Sequence, residues 1–441
     1  IFSKFESAQS DWLSGWENRV EITIDNTNID SDLTHFPVPV FINSSAGQND
    51  DDMTPVFDEV GSDWQKIAVT KDDGTSQIYV EKERWDSTAE EAVLWASKDD
   101  LTLSSSSTTT LYLYYDASQS NNTSYVADAG NRTEVWDSNT VFRAGMAQDP
   151  TGTVVDSTSN NNDATSIGSM TSGDLVEGPN GRQAIAFDGN DDALRANHSS
   201  ELNPGTSDVT VSAYINTNGS ADVQGLLVKR ASTAGDTGDQ FYTILSGDNN
   251  RSPAISFRDY DGGDVWKGHG SSLELGTNTW THVVLRGDRK GNGTAKVEYA
   301  STDSTDISGV GDVSSNAILE IGSGNQNLSA SSFKKFSGEI ANIQYSKTLR
   351  SDAWVKADYN AQIDNLLDFG SEDNSGPAGG GYKILMEADG DIACGISTSG
   401  SSFPEDSTTS TAATYDDNNW HYVTCDKNGT SSLNLYIDGV K

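Results

Sequence analysis

The feature that most constrains this chain is a β-hairpin pattern that occurs twice. Residues 277–300 read TNTWTHVVLRGDRKGNGTAKVEYA. Val283 and Leu285 alternate with polar neighbours, a charged, glycine-containing turn follows, and residues 296–299 alternate again. Residues 418–439 repeat the pattern as NNWHYVTCDKNGTSSLNLYIDG, with Trp420 in the place of Trp280 and Val423 in the place of Val283. The segments upstream match too. FYTIL (241–245) and ISF (255–257) precede the first hairpin, and YKIL (382–385) and IAC (392–394) precede the second. A long repeat built of strands means two copies of one β-module.

The composition agrees with an all-β chain. Glycine is abundant at 41 residues, proline numbers 9, and Ser, Thr, Asn and Asp crowd the gaps between short apolar runs. Ten Trp, 15 Tyr and 13 Phe supply side chains large enough for sandwich cores. Acidic residues outnumber basic ones 66 to 28, a net charge of −38. That excess argues against binding nucleic acid or an anionic membrane face, because no basic patch is present to neutralise phosphates. It fits a solvated acidic surface, and it also fits affinity for hard cations, which take carboxylate oxygens. No apolar run approaches the ~18 residues of a membrane span, so membrane insertion is not expected.

Taken in order, residues 1–15 read as an arm or linker and 16–143 as an N-terminal β-sandwich. In the latter, Val20, Ile22 and Ile24 alternate with polar residues, and further strands fall at 66–69, 77–84, 92–96 and 111–115. Pro37 and Pro39 mark the run 36–42 as an edge strand. Residues 144–372 read as a second sandwich. Near its end Ser351 caps a helix over 351–362 with Trp354, Ala357 and Ala361 on one face. Residues 373–381 form a Gly-rich linker, and 382–441 hold part of a second copy of the repeated module. Aligned on the first copy, this part lacks counterparts of about residues 182–241 and of everything after the hairpin, so the chain reads as a piece of something longer.

At this point two resemblances enter. Trp16, Arg19, Ile22, Ile24, Asn26, Leu33, Phe36, Pro37, Trp85, Trp95, Tyr114, Tyr115, Trp136 and Asp137 follow the pattern of a widespread uncharacterised β-sandwich domain of secreted and surface proteins. The sequence departs from that pattern at FRAGM (142–146), where the family carries a Trp-His-Leu-like step. The order VVDSTSNNNDAT, AIAFDGNDDALRA, VTVSAYINT, LLVKR, the Trp280 hairpin and FSGEIANIQYSKTL resembles the laminin-G/concanavalin-A-like jelly roll. Segment 366–372 resembles the stretch that closes such a two-domain unit. The resemblance implies tandem β-sandwiches with no enzymatic activity and no established ligand for the first.

Catalytic chemistry finds little support. Jelly-roll glucanases carry a strand with Glu-x-Asp-x-x-Glu, since cleaving a glycosidic bond takes paired carboxylates. The nearest run here, Glu387-Ala-Asp389-Gly-Asp-Ile392, lacks the third carboxylate and reads as a hairpin turn. The histidines, His35, His198, His269, His282 and His421, are isolated and form no metal-binding spacing. No catalytic residue is assigned. Calcium is the one inorganic partner with candidate ligands: Asp188, Asn190, Asp191 and Asp192 in one loop, and Asp259, Asp261 and Asp264 in another. Both also read as plain turns. Tyr260 and Trp266, beside the second loop, make a candidate carbohydrate platform, with core packing of Trp266 as the alternative. Cys394 and Cys425 lie in neighbouring strands of the second copy, as a disulfide pair or as two buried thiols.

These readings point to a non-catalytic extracellular adhesion or recognition protein of a cell-surface appendage or virion fibre. It is expected to contact glycans or a host receptor through jelly-roll loops and to neighbour other subunits of the fibre. A purely structural filament or decoration subunit is the alternative, and accessory modules of a secreted polysaccharide-degrading enzyme are a third.

Overall fold

The computed structural model describes residues 12–440 apart from 129, 220–222, 231–237, 246–251, 261–262, 301–303, 325–334, 375–380, 387–390, 398–405, 410–414, 416–418, 420 and 429–431. It is all-β, arranged as tandem β-sandwiches with short helices.

The first sandwich is one eight-stranded sheet folded over on itself. Its order runs Leu367–Phe369, Asn18–Ile24, Thr109–Tyr115, Ile67–Lys71, Gln77–Asp86, Glu91–Ser97 and Val38–Ile42, with Val126–Ala127 lying parallel to Gln77–Asp86. The long strand Gln77–Asp86 makes the fold-over. Gln77 and Ile78 pair with Ile67–Lys71, whereas Tyr79 onward pairs with Glu91–Ser97. Val38–Ile42 ends the path and pairs on one side only among the described residues, as Pro39 requires of a strand that carries a proline. Ile22, Val38, Ile67, Ile78, Leu94 and Leu113 fill the space between the two layers.

The last part of this core comes from far along the chain. Helix Asp352–Gln362 begins where expected: Ser351 Oγ accepts the Trp354 amide at 3.1 Å. Its small face, Ala353, Ala357 and Ala361, packs into the first sandwich, and so do Leu367 and Phe369. Leu367–Phe369 pairs with Asn18–Ile24, setting Ile22 opposite Phe369. In the other direction, Thr140–Ala144 leaves the first sandwich and pairs with Ser337–Ser346 in the second. The boundaries expected at 143/144 and 372 therefore shift. The jelly roll is an insertion between residues 137 and 350 of the first sandwich. An amphipathic helix reveals that one face is buried, but not against which core. The N-terminal arm also shortens, because Trp12 is buried and the Arg19 guanidinium lies 4.1 Å from its ring; residues 1–11 lie outside the described set.

The jelly roll has two facing sheets. One runs Leu175–Glu177, Gln183–Asp188, Ser337–Ser346, Val209–Thr217, Trp280–Gly287, Asn292–Val297, Ser304–Asp306. The other runs Thr153–Val154, Ala164–Ile167, Ala193–Ala196, Leu319–Ile321, Gln224–Arg230, Gln240–Leu245, Pro253–Asp259, Val265–Gly270. Ile185, Phe187, Val211, Phe241, Phe257, Leu285 and Ile340 meet between them. Strand Ser337–Ser346 carries one extra residue: Tyr214 faces Asn342 and Ile215 faces Ile340, so Ala341 bulges.

Charged groups buried out of water join the two sandwiches. Arg143, 1 % exposed, pairs with Glu83 and Glu81 and lies 4.8 Å from both the Trp95 and Trp136 rings. The two indole N–H groups donate to the same carboxylates, Trp95 to Glu83 at 2.8 Å and Trp136 to Glu81 at 2.7 Å. Arg350 grips Asp137 with two hydrogen bonds at 2.6 and 2.7 Å, and His282 meets helix residue Asp358 at 3.0 Å. Removing one partner would leave a bare buried charge, so these contacts set register between the sandwiches.

The partial copy comprises a three-stranded sheet, Gly381–Met386, Ile392–Ser397 and Asp406–Thr409, facing the hairpin Val423–Asn428 and Ser432–Ile437. Strand registers map it onto the first copy. Leu285 faces Ala295 and Cys425 faces Leu435; Phe241 faces Phe257 and Ile384 faces Cys394. Both hairpins turn back the same way, Glu298 N donating to His282 O at 2.9 Å and Asp438 N to Tyr422 O at 2.8 Å. One alignment changes: with Cys394 in the place of Phe257, Ile384, not Tyr382, stands at Phe241.

Candidate functional site

The strand Val265–Gly270 lies at the edge of its sheet. Register sets Trp266 opposite Arg258, and alternation turns both away from the core, where Phe257 lies. Trp266 is 59 % exposed and does not enter the core. Its indole N–H donates to the Tyr242 hydroxyl at 3.1 Å, which fixes the ring plane. Arg258 Nε donates to Asp264 Oδ1 at 2.6 Å, and the guanidinium carbon lies 5.2 Å from the Tyr260 ring. This hydrogen bond holds the Asp264 carboxyl below its usual range. The result is a flat, anchored aromatic surface with a carboxylate and a guanidinium alongside.

The same alternation separates the second set of acids. Asp259, one residue on from Arg258, turns inward and is 6 % exposed, while Asp264 is taken by Arg258. Asp261 lies outside the described residues. The structure therefore does not bring Asp259 and Asp264 together as a cation site.

The first loop differs. Carboxylate oxygens of Asp188, Asp191 and Asp192 lie within 4.8 Å of one another, the only such grouping among the described residues. Asn190 lies in the same turn, its backbone and side-chain N–H groups donating to Asp188 at 2.7 and 3.0 Å. Burial pushes the Asp188 carboxyl up, but hydrogen bonds from Asn190, Asp191 and Asp192 outweigh it and leave the pKa low. Asp192 is 2 % exposed; burial, with the charges of Asp188, Asp174 and Asp191, raises its pKa. Its Oδ2 accepts the Asp188 amide at 3.1 Å, and its Oδ1 makes no hydrogen bond. A buried oxygen with no donor beside two further carboxylates is an arrangement that a hard cation satisfies. The backbone at Gly168 comes so close to Asp191 O that a Cβ there would sit 2.3 Å from it, so glycine is required for the loop to close.

These two features lie at opposite ends of the jelly roll. Asp188 faces Ser337 at the end where Thr217 faces Gly338, and Gln224 reaches Ser337 there. Strand Pro253–Asp259 starts at that end, Pro253 opposite Leu245, and reaches Asp259 at the other. An ion held by Asp188, Asp191 and Asp192 is therefore not a bridge to a ligand on Trp266.

Cys394 and Cys425 form a disulfide with Cα atoms 6.2 Å apart. They belong to facing sheets rather than to neighbouring strands of one sheet. Glu387 and Asp389 lie outside the described residues. The sequence reading missed Lys229, 1 % exposed, whose ammonium donates to Ala317 O and to Ser315 O at 3.1 Å and sits 3.1 Å from His198 Nδ1. Burial brings its pKa down to about 8. A signal for it existed, since Lys229 shares the inward face with Leu227. Glu81, Glu83 and Arg143 were missed too; two carboxylates at period two carry no label of the indoles they meet far along the chain.

Among curated proteins, none matches this chain. A family model described as the concanavalin A-like lectin/glucanases superfamily matches residues 351–441, from the start of the helix through the partial copy. Among solved structures, the chain is similar to domain 4 of AbnA, a GH43 extracellular arabinanase from Geobacillus stearothermophilus in complex with arabinotriose. That match has 15 % identity and a TM-score of 0.39, and covers 50 % of this chain and 98 % of the other. It is also similar to the binding domain of Paraclostridial Mosquitocidal Protein 1, at 13 % identity and TM-score 0.40 over 68 % and 75 % of the two chains. The receptor binding domain of botulinum neurotoxin D matches at 12 % identity and TM-score 0.36, over 51 % and 53 %. Among the described residues no helix is long and apolar enough to cross a membrane.

Proposed function

We propose that this chain is a non-catalytic extracellular recognition protein of a cell-surface appendage or virion fibre, whose jelly roll takes glycans on the Trp266 platform. The observation that carries the reading is an indole 59 % exposed yet anchored through its N–H to Tyr242. Such a ring offers its apolar face to the C–H face of a pyranose, while Asp264 accepts hydroxyl protons and Arg258 donates to ring or hydroxyl oxygens. Tyr260 flanks the surface and borders the ligand. The match of residues 351–441 to a lectin-containing superfamily and the net charge of −38 support a surface-exposed binding role. At the far end, Asp188, Asp191 and Asp192 would hold a calcium ion that pins the loop, with the unpaired Asp192 Oδ1 as one ligand atom.

A glycan array probed with the full chain tests the reading. Binding to a subset of glycans that Trp266→Ala abolishes, with an unchanged melting temperature, is the expected result. An array with no bound glycan, or binding that survives Trp266→Ala, overturns it. Calcium is tested apart, by calorimetric titration with CaCl2. A Kd of about 0.1–1 mM that Asp192→Asn removes is expected, with glycan binding unaffected.

A further inference from the structure

The first sandwich carries a cavity at one end of its core. It encloses about 280 Å³ between strand Asn18–Ile24, the segment that follows Leu367–Phe369, and the short helix Pro55–Val60. Its floor is core: Val20, Met53, Val56, Tyr115 and Phe369 line it, all buried and all part of the apolar cluster that fills this sandwich. Its rim is acidic. Asp51, Asp52 and Glu372 line it, and no Lys, Arg or His does. Asp52 and Glu372 are exposed at the mouth. Each carboxylate is oriented by a donor at one oxygen. The Tyr115 hydroxyl donates to Glu372 Oε1 at 2.7 Å, the Phe369 amide to Asp51 Oδ2 at 3.4 Å, and the Thr54 amide and hydroxyl to Asp52 Oδ1 at 3.0 and 2.7 Å. The bonds from Thr54 hold the Asp52 carboxyl below its usual range. Burial and the Glu372 carboxylate raise the Tyr115 pKa, so that hydroxyl stays a donor.

We propose that this cavity takes an arginine side chain of a partner protein. An apolar floor beneath carboxylates suits a group with a hydrocarbon stem and a cationic head. Small-molecule sites run from about 300 to 1,000 Å³, so this volume admits one side chain and not an oligosaccharide. A single metal ion does not match the rim. Among the described residues, Asp188, Asp191 and Asp192 are the only three acids whose oxygens gather within 4.8 Å, so the rim carboxylates do not converge on a point. A guanidinium presents a planar fork of N–H donors that meets separated carboxylates, whereas an ammonium is a point charge. The net charge of −38 draws a basic partner towards this chain. Residues 375–381, which follow the rim, carry no charge, and residues 1–11 hold no arginine. The guanidinium therefore comes from another chain. This site is separate from the Trp266 platform and does not depend on it.

Methyl NMR of the full chain, labelled at the methionine methyl carbons, tests this, because Met53 alone of the four methionines lines the cavity. The probe is Nα-acetyl-arginine amide. It is expected to shift the Met53 resonance saturably and to leave those of Met146 and Met170 in place. Its neutral isostere, Nα-acetyl-citrulline amide, shifts none of them, and Nα-acetyl-lysine amide binds more weakly. Glu372→Gln is expected to weaken binding by about tenfold or more, as for a lost charge-assisted hydrogen bond, with the melting temperature unchanged. Asp306→Asn, an exposed acid of the jelly roll, and Trp266→Ala leave binding as it was. No shift at Met53, an equal response to citrulline or lysine, or a shift that Glu372→Gln leaves intact would each overturn the proposal. So would equal weakening by Asp306→Asn, the mark of diffuse attraction to an acidic surface. Binding that appears only once residues 1–11 are removed would overturn it as well, since the chain's own arm would then be the occupant.

Discussion

Phe257 and Cys394 occupy one register position in the two copies, and Leu285 and Cys425 occupy another. In the complete copy these positions hold an aromatic ring and an isobutyl group, both buried in a core that spans two eight-stranded sheets. In the partial copy they hold a disulfide, with Ile392, Leu435, Ile437 and a few half-buried neighbours around it among the described residues. A covalent link there joins the two facing layers that the aromatic ring and the isobutyl group join by packing. The comparison teaches that one hairpin grammar tolerates two kinds of closure, provided the closing pair points inward from both sheets.

Substitution at the shared positions breaks the comparison most sharply. Phe257→Ala is expected to destabilise the complete copy by about 3–5 kcal/mol, read from urea denaturation of the full chain. The partial copy should keep its hydrogen-exchange pattern. Cys394→Ala with Cys425→Ala should do the converse. A 31-residue separation makes the link worth about 3.5 kcal/mol by loop entropy, so segment 381–440 should become protease-sensitive while 140–346 stays resistant. Equal losses in both copies from either change would show that the copies are not independent.

The next effect concerns attachment. The first copy is tied to its neighbour by Asp137 and Arg350, which has no counterpart among the described residues of the second. Burial alone would raise the Asp137 pKa; the bidentate guanidinium outweighs it and brings the value down to about 2. A folded pKa below the ordinary carboxylate value of about 3.9 means the contribution is full above about pH 4. It is lost as pH falls towards 2. The difference is about 2.6 kcal/mol. Asp137→Asn should therefore lower the melting temperature at pH 7 and converge with the wild type only below about pH 2. The smallest effect sharpens the comparison. His282 and Tyr422 are register equivalents, yet His282 is 1 % exposed beneath the helix and Tyr422 is 75 % exposed. His282→Ala should cost about 1–3 kcal/mol by stranding Asp358, and Tyr422→Ala less than about 0.5 kcal/mol.

Much of this architecture was legible in the chain. The Trp280 hairpin, the edge strand carrying Pro39 and the Ser351 cap follow from alternation, proline chemistry and side-chain capping, which are local. The Trp266 platform was half legible: strand period puts Trp266 and Arg258 on one face, but not which face lacks a cover. What stayed hidden depends on contacts distant in sequence. Nothing within residues 351–369 says that Ala357 and Phe369 belong with Ile22, more than three hundred residues earlier. Nor does Arg143, in a strand of otherwise ordinary pattern, announce that it will sit between two glutamates and two tryptophans.

The insertion of one sandwich within the other has a mechanical side. Asn18–Ile24 and Leu367–Phe369 are neighbours in a single sheet, and Arg19 bridges Asp373 just beyond. A pull applied to residue 18 and to residue 373 enters and leaves through adjacent strands, opening them like a zip from one end. The jelly roll between residues 137 and 350 hangs beside that line of force and carries none of it. The rim that carries Trp266 would keep its shape until those two strands begin to part.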